Sequence, residues 1–201
     1  MRYLSHALFV FVALALPAPA AHAVTTTFVA HLSGTSEVPP NASPGTGFAT
    51  VVLDTITHLL QIDAAFSGLT SGTTASHIHC CAPATSTAMV ATTTPSFAGF
   101  PLGVTSGTFA NTLNLTLASS YNPAFITAHG GTLELAEAAL IEGLLAGLSY
   151  FNIHTSNFSG GEIRGQLSVV PLPAALPLFA GGLAIMGLLG WRRRKAITAQ
   201  T

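Results

Sequence analysis

The chain has 201 residues, of which 49% are hydrophobic and 6% charged, a composition that excludes a charge-rich disordered polymer. Between positions 24 and 169 there is one base, Arg164, against seven acids (Glu37, Asp54, Asp63, Glu134, Glu137, Glu142 and Glu162), which leaves a formal charge of −6. That sign repels phosphate backbones and argues against nucleic acid as a partner, while the length suffices for one good hydrophobic core.

At the N-terminus, Arg2 precedes the uncharged apolar run Ala7–Leu16, which Pro17 and Pro19 then break. Ala21 and Ala23 place small residues at both positions a signal peptidase reads. The reading is a secretory signal over 1–23, too short to span a bilayer, with signal peptidase as a processing partner and the mature chain starting at Val24.

Strand patterns follow. Thr26–Ser33 alternates, with Phe28, Ala30 and Leu32 on one face. Phe48–Leu53 and Leu59–Phe66, joined by the polar connector Asp54–Thr57, predict a hairpin. Ser76–Cys80 predicts a short strand after the Gly68–Gly72 turn, and Gly107–Leu117 another. Between them Ala82–Val104, rich in Pro, Thr and Gly, predicts a long loop. Thr132–Leu145 carries Leu133, Ala136, Leu140 and Leu144 at helical spacing and predicts the one helix. Tyr150–His154 and Glu162–Val169 predict closing strands around a turn with Gly160 and Gly161. Short strands with one helix in a connection predict an all-β, antiparallel sandwich spanning 24–169.

The chain then changes character. Leu172–Trp191 contains no charged side chain and, as a helix, would be about 30 Å long, enough for a transmembrane segment. Arg192, Arg193, Arg194 and Lys195 follow and would stay cytoplasmic, leaving the main domain outside. This tail, 170–201, resembles the PEP-CTERM sorting signal of Gram-negative bacteria. The matching parts are the opener Val170-Pro171-Leu172-Pro173, the glycine-containing apolar run and the cluster Arg192–Arg194. Leu172 stands where the family commonly has glutamate. The resemblance implies cleavage by an exosortase-type enzyme and delivery to the envelope or exopolysaccharide.

A second resemblance covers about Thr26–Leu167. Ala75-Ser76-His77-Ile78-His79, Tyr150-Phe151-Asn152-Ile153-His154-Thr155 and Gly160-Gly161-Glu162-Ile163-Arg164-Gly165-Gln166-Leu167 look like the CHRD domain first described in chordin. So does the start, Phe28-Val29-Ala30-His31-Leu32-Ser33-Gly34 with Glu37-Val38-Pro39-Pro40. The resemblance implies an immunoglobulin-like sandwich with some likeness to copper–zinc superoxide dismutase, and no settled activity for bacterial members.

Candidate chemistry centres on histidine. His77 and His79, two apart on a strand, share a face, as a pair of metal ligands would. His154, on a strand able to pair nearby, is a third donor, and Glu162 an oxygen donor. Cys80 and Cys81, the only cysteines, are weaker candidates, open to a vicinal disulfide, free thiols, an intermolecular bridge or metal ligation. Copper or zinc suits such donors. The same histidines can instead hold backbone carbonyls, and Arg164 can pair with Glu37 or Glu162. No Gly-x-Ser-x-Gly, phosphate-cradling loop or His-Glu-x-x-His is present, so no catalytic role is expected. Two readings stand: an exported, membrane-anchored surface or matrix module without enzymatic activity, and an envelope metal-binding protein using the His-x-His pair.

Overall fold

The computed structural model describes residues 25–171 and Met186. The expected signal peptide with Ala21 and Ala23, and the sorting-tail residues Pro173, Arg192, Arg193 and Arg194, lie outside the described residues, as does the 172–191 segment apart from Met186. Val170 and Pro171 are described, just past the last strand. Among the described residues no helix is long and apolar enough to cross a membrane.

Among the described residues nine strands form: β1 (Thr25–Ser33), β2 (Thr46–Asp54), β3 (Leu59–Ser67), β4 (Thr73–Cys80), β5 (Met89–Val90), β6 (Gly107–Asn114), β7 (Ser149–Thr155), β8 (Ile163–Gln166) and β9 (Ser168–Val169). Two helices, α1 (Pro123–Ala128) and α2 (Leu133–Leu145), lie between β6 and β7. The strands run in the order β5-β4-β7-β8-β1-β2-β3-β6, antiparallel throughout, with β9 also on β1.

The protein is thus all-β and antiparallel, but the two separate sheets of an immunoglobulin-like sandwich are replaced by one curled sheet. Its halves join where Ser33 of β1 meets Arg164 of β8, and where β9 sets Val169 against Phe28. The curl brings remote strands round one core: Phe97, in the loop after β5, stacks on Phe109 of β6 at 5.5 Å and on Phe151 of β7 at 5.9 Å.

Period-two alternation sets the inner face. Phe28, Ala30 and Leu32 of β1, Ala49, Val51 and Leu53 of β2, and Leu60, Ile62, Ala64 and Phe66 of β3 are buried, and the residues between them face outward. The β2–β3 hairpin turns on Asp54, whose carboxylate accepts from the Ile56 and Thr57 amides at 2.8 and 3.1 Å, with His58 left-handed at φ 57°. Helix α2 starts at Thr132, whose hydroxyl accepts from the Leu135 amide, and buries Ala136, Leu140, Gly143 and Leu144.

Several boundaries differ from the sequence expectation. Helix α1 was not expected; Asn122 caps it, accepting from the Ala124 amide at 3.0 Å, and Pro123 opens its first turn. β6 ends at Asn114, where the side-chain oxygen takes the Thr116 amide and hydroxyl and turns the chain short of Leu117. The expected strand Glu162–Val169 divides in two at the fully buried Leu167: its first part lies between β7 and β1, and its second pairs with β1 alone.

The feature that positions the site is the second face of β4 and β7. Their inner face carries Ile78, Cys80, Phe151 and Ile153; their outer face carries His77, His79, Tyr150 and Asn152, and these are buried as well. The cover is the long loop, residues 81–106, within which β5 adds to β4 by pairing His79 with Val90. A loop over a sheet must satisfy its own backbone. Here the carbonyls of Ala82, Ala84, Ser86, Ala88 and Pro95 each accept from a side chain of the outer face: Gln166, Arg164 twice, His79 and His77 respectively.

Candidate metal centre

His77 and His79 stand two apart on β4 and so share its outer face, as the register with β7 shows: His77 lies opposite Asn152, His79 opposite Tyr150, and Ala75 opposite His154. The three imidazoles form a triangle, with ring centroids 5.8 Å apart for His77–His79, 5.3 Å for His77–His154 and 5.8 Å for His79–His154. One ring nitrogen from each lies within 4.8 Å of the other two. For comparison, three nitrogens bound to one ion at ordinary bond lengths stand roughly 3.3 Å apart, so small ring rotations close the difference.

The other nitrogen of each ring fixes its tautomer. His77 Nε2 donates to the Pro95 carbonyl at 2.8 Å, His79 Nδ1 to Ala88 at 2.9 Å, and His154 Nδ1 to Ser159 at 2.9 Å. A carbonyl accepts only, so the proton sits on those nitrogens and the lone pairs are left on His77 Nδ1, His79 Nε2 and His154 Nε2. These three atoms are buried and, among the described residues, have no hydrogen-bond partner. Burial is the main reason the His77 and His79 imidazoles are pushed down to about 4, against the help of their carbonyl partners, and it lowers His154 as well. The rings are therefore neutral at ordinary pH, the form that binds metal.

The surroundings are aromatic and polar in turn. Tyr150 stacks on His79 at 4.7 Å, and the Arg164 guanidinium lies 4.5 Å from the Tyr150 ring centroid. Arg164, 2% exposed, donates from Nε to Ser36 and through its two terminal nitrogens to Ser86 and Ala84. Its carboxylate neighbour is Glu37, at 3.9 Å. Burial raises the Glu37 carboxyl to about 7, with Arg164 opposing.

The remaining sequence candidates are placed elsewhere. Glu162 is fully buried but accepts from the Ser43 and Thr155 hydroxyls and the Thr70 amide. Burial alone would raise its pKa; those donors outweigh it and lower it. Cys80 and Cys81 are joined to each other as a vicinal disulfide against α2, which leaves no thiolate for a metal. The carbonyl partners Pro95, Ala88 and Ser159 carried no sequence signal, because any residue can supply a carbonyl.

Residues 28–167 match the model of the CHRD domain family. The chain belongs to the CHRD family. No curated protein and no solved structure matches it. All three histidines, Arg164 and Glu37 fall inside the CHRD domain, so the centre is part of the domain itself rather than of either flanking segment.

Proposed function

We propose that the CHRD domain of this protein binds one transition-metal ion, copper or zinc, between His77, His79 and His154. The observation that carries this reading is the convergence of three buried imidazole nitrogens without a partner among the described residues, each on a ring whose tautomer a backbone carbonyl has fixed. An unpaired buried acceptor costs about 1–3 kcal/mol, so three of them facing one another call for a common partner. Carbonyl-oriented imidazoles are also the usual outer support of metal ligands. A bound ion would supply a Lewis-acidic or one-electron centre. The nitrogens that would hold it are buried, which favours storage or carriage of the ion over turnover of a substrate, and we propose no enzymatic activity.

We further propose that this domain works outside the cytoplasm. The charge-free Leu172–Trp191 segment with Arg192–Lys195 behind it, the 1–23 leader and the PEP-CTERM-like opener support export by signal peptidase, membrane anchoring, exosortase-type processing and association with envelope or exopolysaccharide. A disulfide between the only two cysteines suits an oxidising compartment.

Calorimetric titration of the full chain with zinc and with copper tests the metal reading. One site per chain is expected, abolished in the His77→Ala/His79→Ala variant. A variant that binds as wild type does would place the ion elsewhere.

A further inference from the structure

We infer that the three-histidine centre is selective for monovalent copper over zinc and over divalent copper. This rests on the metal-site reading above and specifies the ion.

Charge is the first argument. The donors are three neutral imidazoles, and among the described residues the cluster includes no carboxylate and no thiolate. Of the two buried carboxylates, Glu162 is held by Ser43, Thr70 and Thr155, and Glu37, which is not part of the cluster, lies 3.9 Å from Arg164. The two sulfurs are bonded to each other. The charged neighbours on this face are Arg164, against the ring that stacks on His79, and Glu37 3.9 Å from it, a pair without net negative charge. The penalty for transferring an ion from water into a dry site rises with the square of its charge, so a divalent ion without an anionic ligand is penalised about four times as heavily as a monovalent one. The carbonyls behind the rings offset part of a single positive charge by drawing on the imidazole N–H groups.

Coordination number is the second. Zinc with three protein ligands takes water or substrate as a fourth, and divalent copper prefers a tetragonal set of nitrogen and oxygen donors. Here the three nitrogens are buried, those of His77 and His79 on rings bonded to the 81–106 loop, with Tyr150 against His79 and Phe97 beside His77 at 6.5 Å. Neither ring brings an anion to the donors, and the Tyr150 hydroxyl is held on the backbone of Ala88. A closed-shell monovalent copper ion is content with three donors and has no need of a fourth.

The test is a set of anaerobic competition titrations on the full chain in detergent. Copper(I) is challenged with a chromophoric copper(I) chelator, and zinc(II) and copper(II) with chelators of known affinity. Copper(I) is expected to bind one per chain, more than about tenfold tighter than either divalent ion, and its X-ray absorption edge should report three nitrogen donors. Zinc or divalent copper binding as tightly as copper(I) would overturn the selectivity while leaving the metal site standing. Failure of all three ions to bind would remove the site itself.

Discussion

Tyr150 lies flat against His79, ring centroids 4.7 Å apart and planes 11° from parallel, and the guanidinium of Arg164 sits over the same tyrosine from the strand on the other side of β7. The contact ties the proposed centre to the residue that holds the covering loop. Arg164 fixes Ala84 and Ser86, the Tyr150 hydroxyl accepts from the Ala88 amide, and Ala88 in turn accepts from His79. The loop and the His79 imidazole are therefore one hydrogen-bonded unit, and loosening either end should be felt at the other.

Arg164→Ala deletes the donors to Ser36, Ala84 and Ser86 and leaves Glu37 buried without its cation. Loss of one partner from a buried ion pair costs about 3–5 kcal/mol. Urea unfolding should show a loss of that size, and amide exchange at Ser86 and Ala88 should quicken. Wild-type stability and protection in the variant would mean that the loop is held by something else.

The tautomers are open to direct observation. Nitrogen-15 spectra of the histidine rings in the metal-free chain should show a protonated Nε2 for His77 and a protonated Nδ1 for His79 and His154. The opposite tautomer at any of the three would turn its lone pair towards the loop carbonyl and break the donor set.

Acid should destabilise the metal-free protein in a defined window. The unfolded state protonates His77 and His79 near 6.5, whereas the folded state resists until about 4. Their contribution is complete above about 6.5 and is lost as pH falls towards 4. Glu37 has the opposite sign: its carboxyl is raised to about 7 from 4.5, so its contribution is present below 4.5 and is lost as pH rises through 7. Two strongly shifted histidines, joined by His154, outweigh one carboxyl. The urea midpoint should therefore fall between pH 7 and pH 5, and fall more steeply in Glu37→Gln. A flat or rising midpoint would contradict the burial of the rings.

Gly143 of α2 faces the vicinal disulfide. A Cβ there would collide with Cys80 Sγ and stand 2.8 Å from Cys81 Sγ and 3.2 Å from Ser149 Oγ. Gly143→Ala, which should help an isolated helix, should instead cost about 1–3 kcal/mol by overpacking. Stabilisation in a thermal melt would show that α2 can move off β4.

Alternation in Phe28–Leu32, Val51–Leu53 and Leu60–Phe66 made three strands and their hairpin legible, since one face of each is apolar and the other faces outward. β4 and β7 carry a weaker pattern because both their faces are covered, and what covers the second is a loop with no periodicity of its own. The order of that loop depends on Arg164, 80 residues beyond Ala84, a dependence no local pattern can express. Within the site, the His77–His79 spacing is readable on a strand, and His154 stands out in its own strand motif. The carbonyls that set the tautomers are not readable, and neither is the commitment of Glu162 to Ser43 and Thr70, which arises from tertiary packing.

The central claim, three histidines holding one ion, is tested most directly by elemental analysis of the full chain. It would be purified without chelator or metal-binding tag, loaded with copper or zinc and desalted. The account predicts one ion per chain, and less than about a tenth of that in His77→Ala, His79→Ala and His154→Ala alike. A wild-type chain that emerges without metal, or three variants that retain it, would contradict the account.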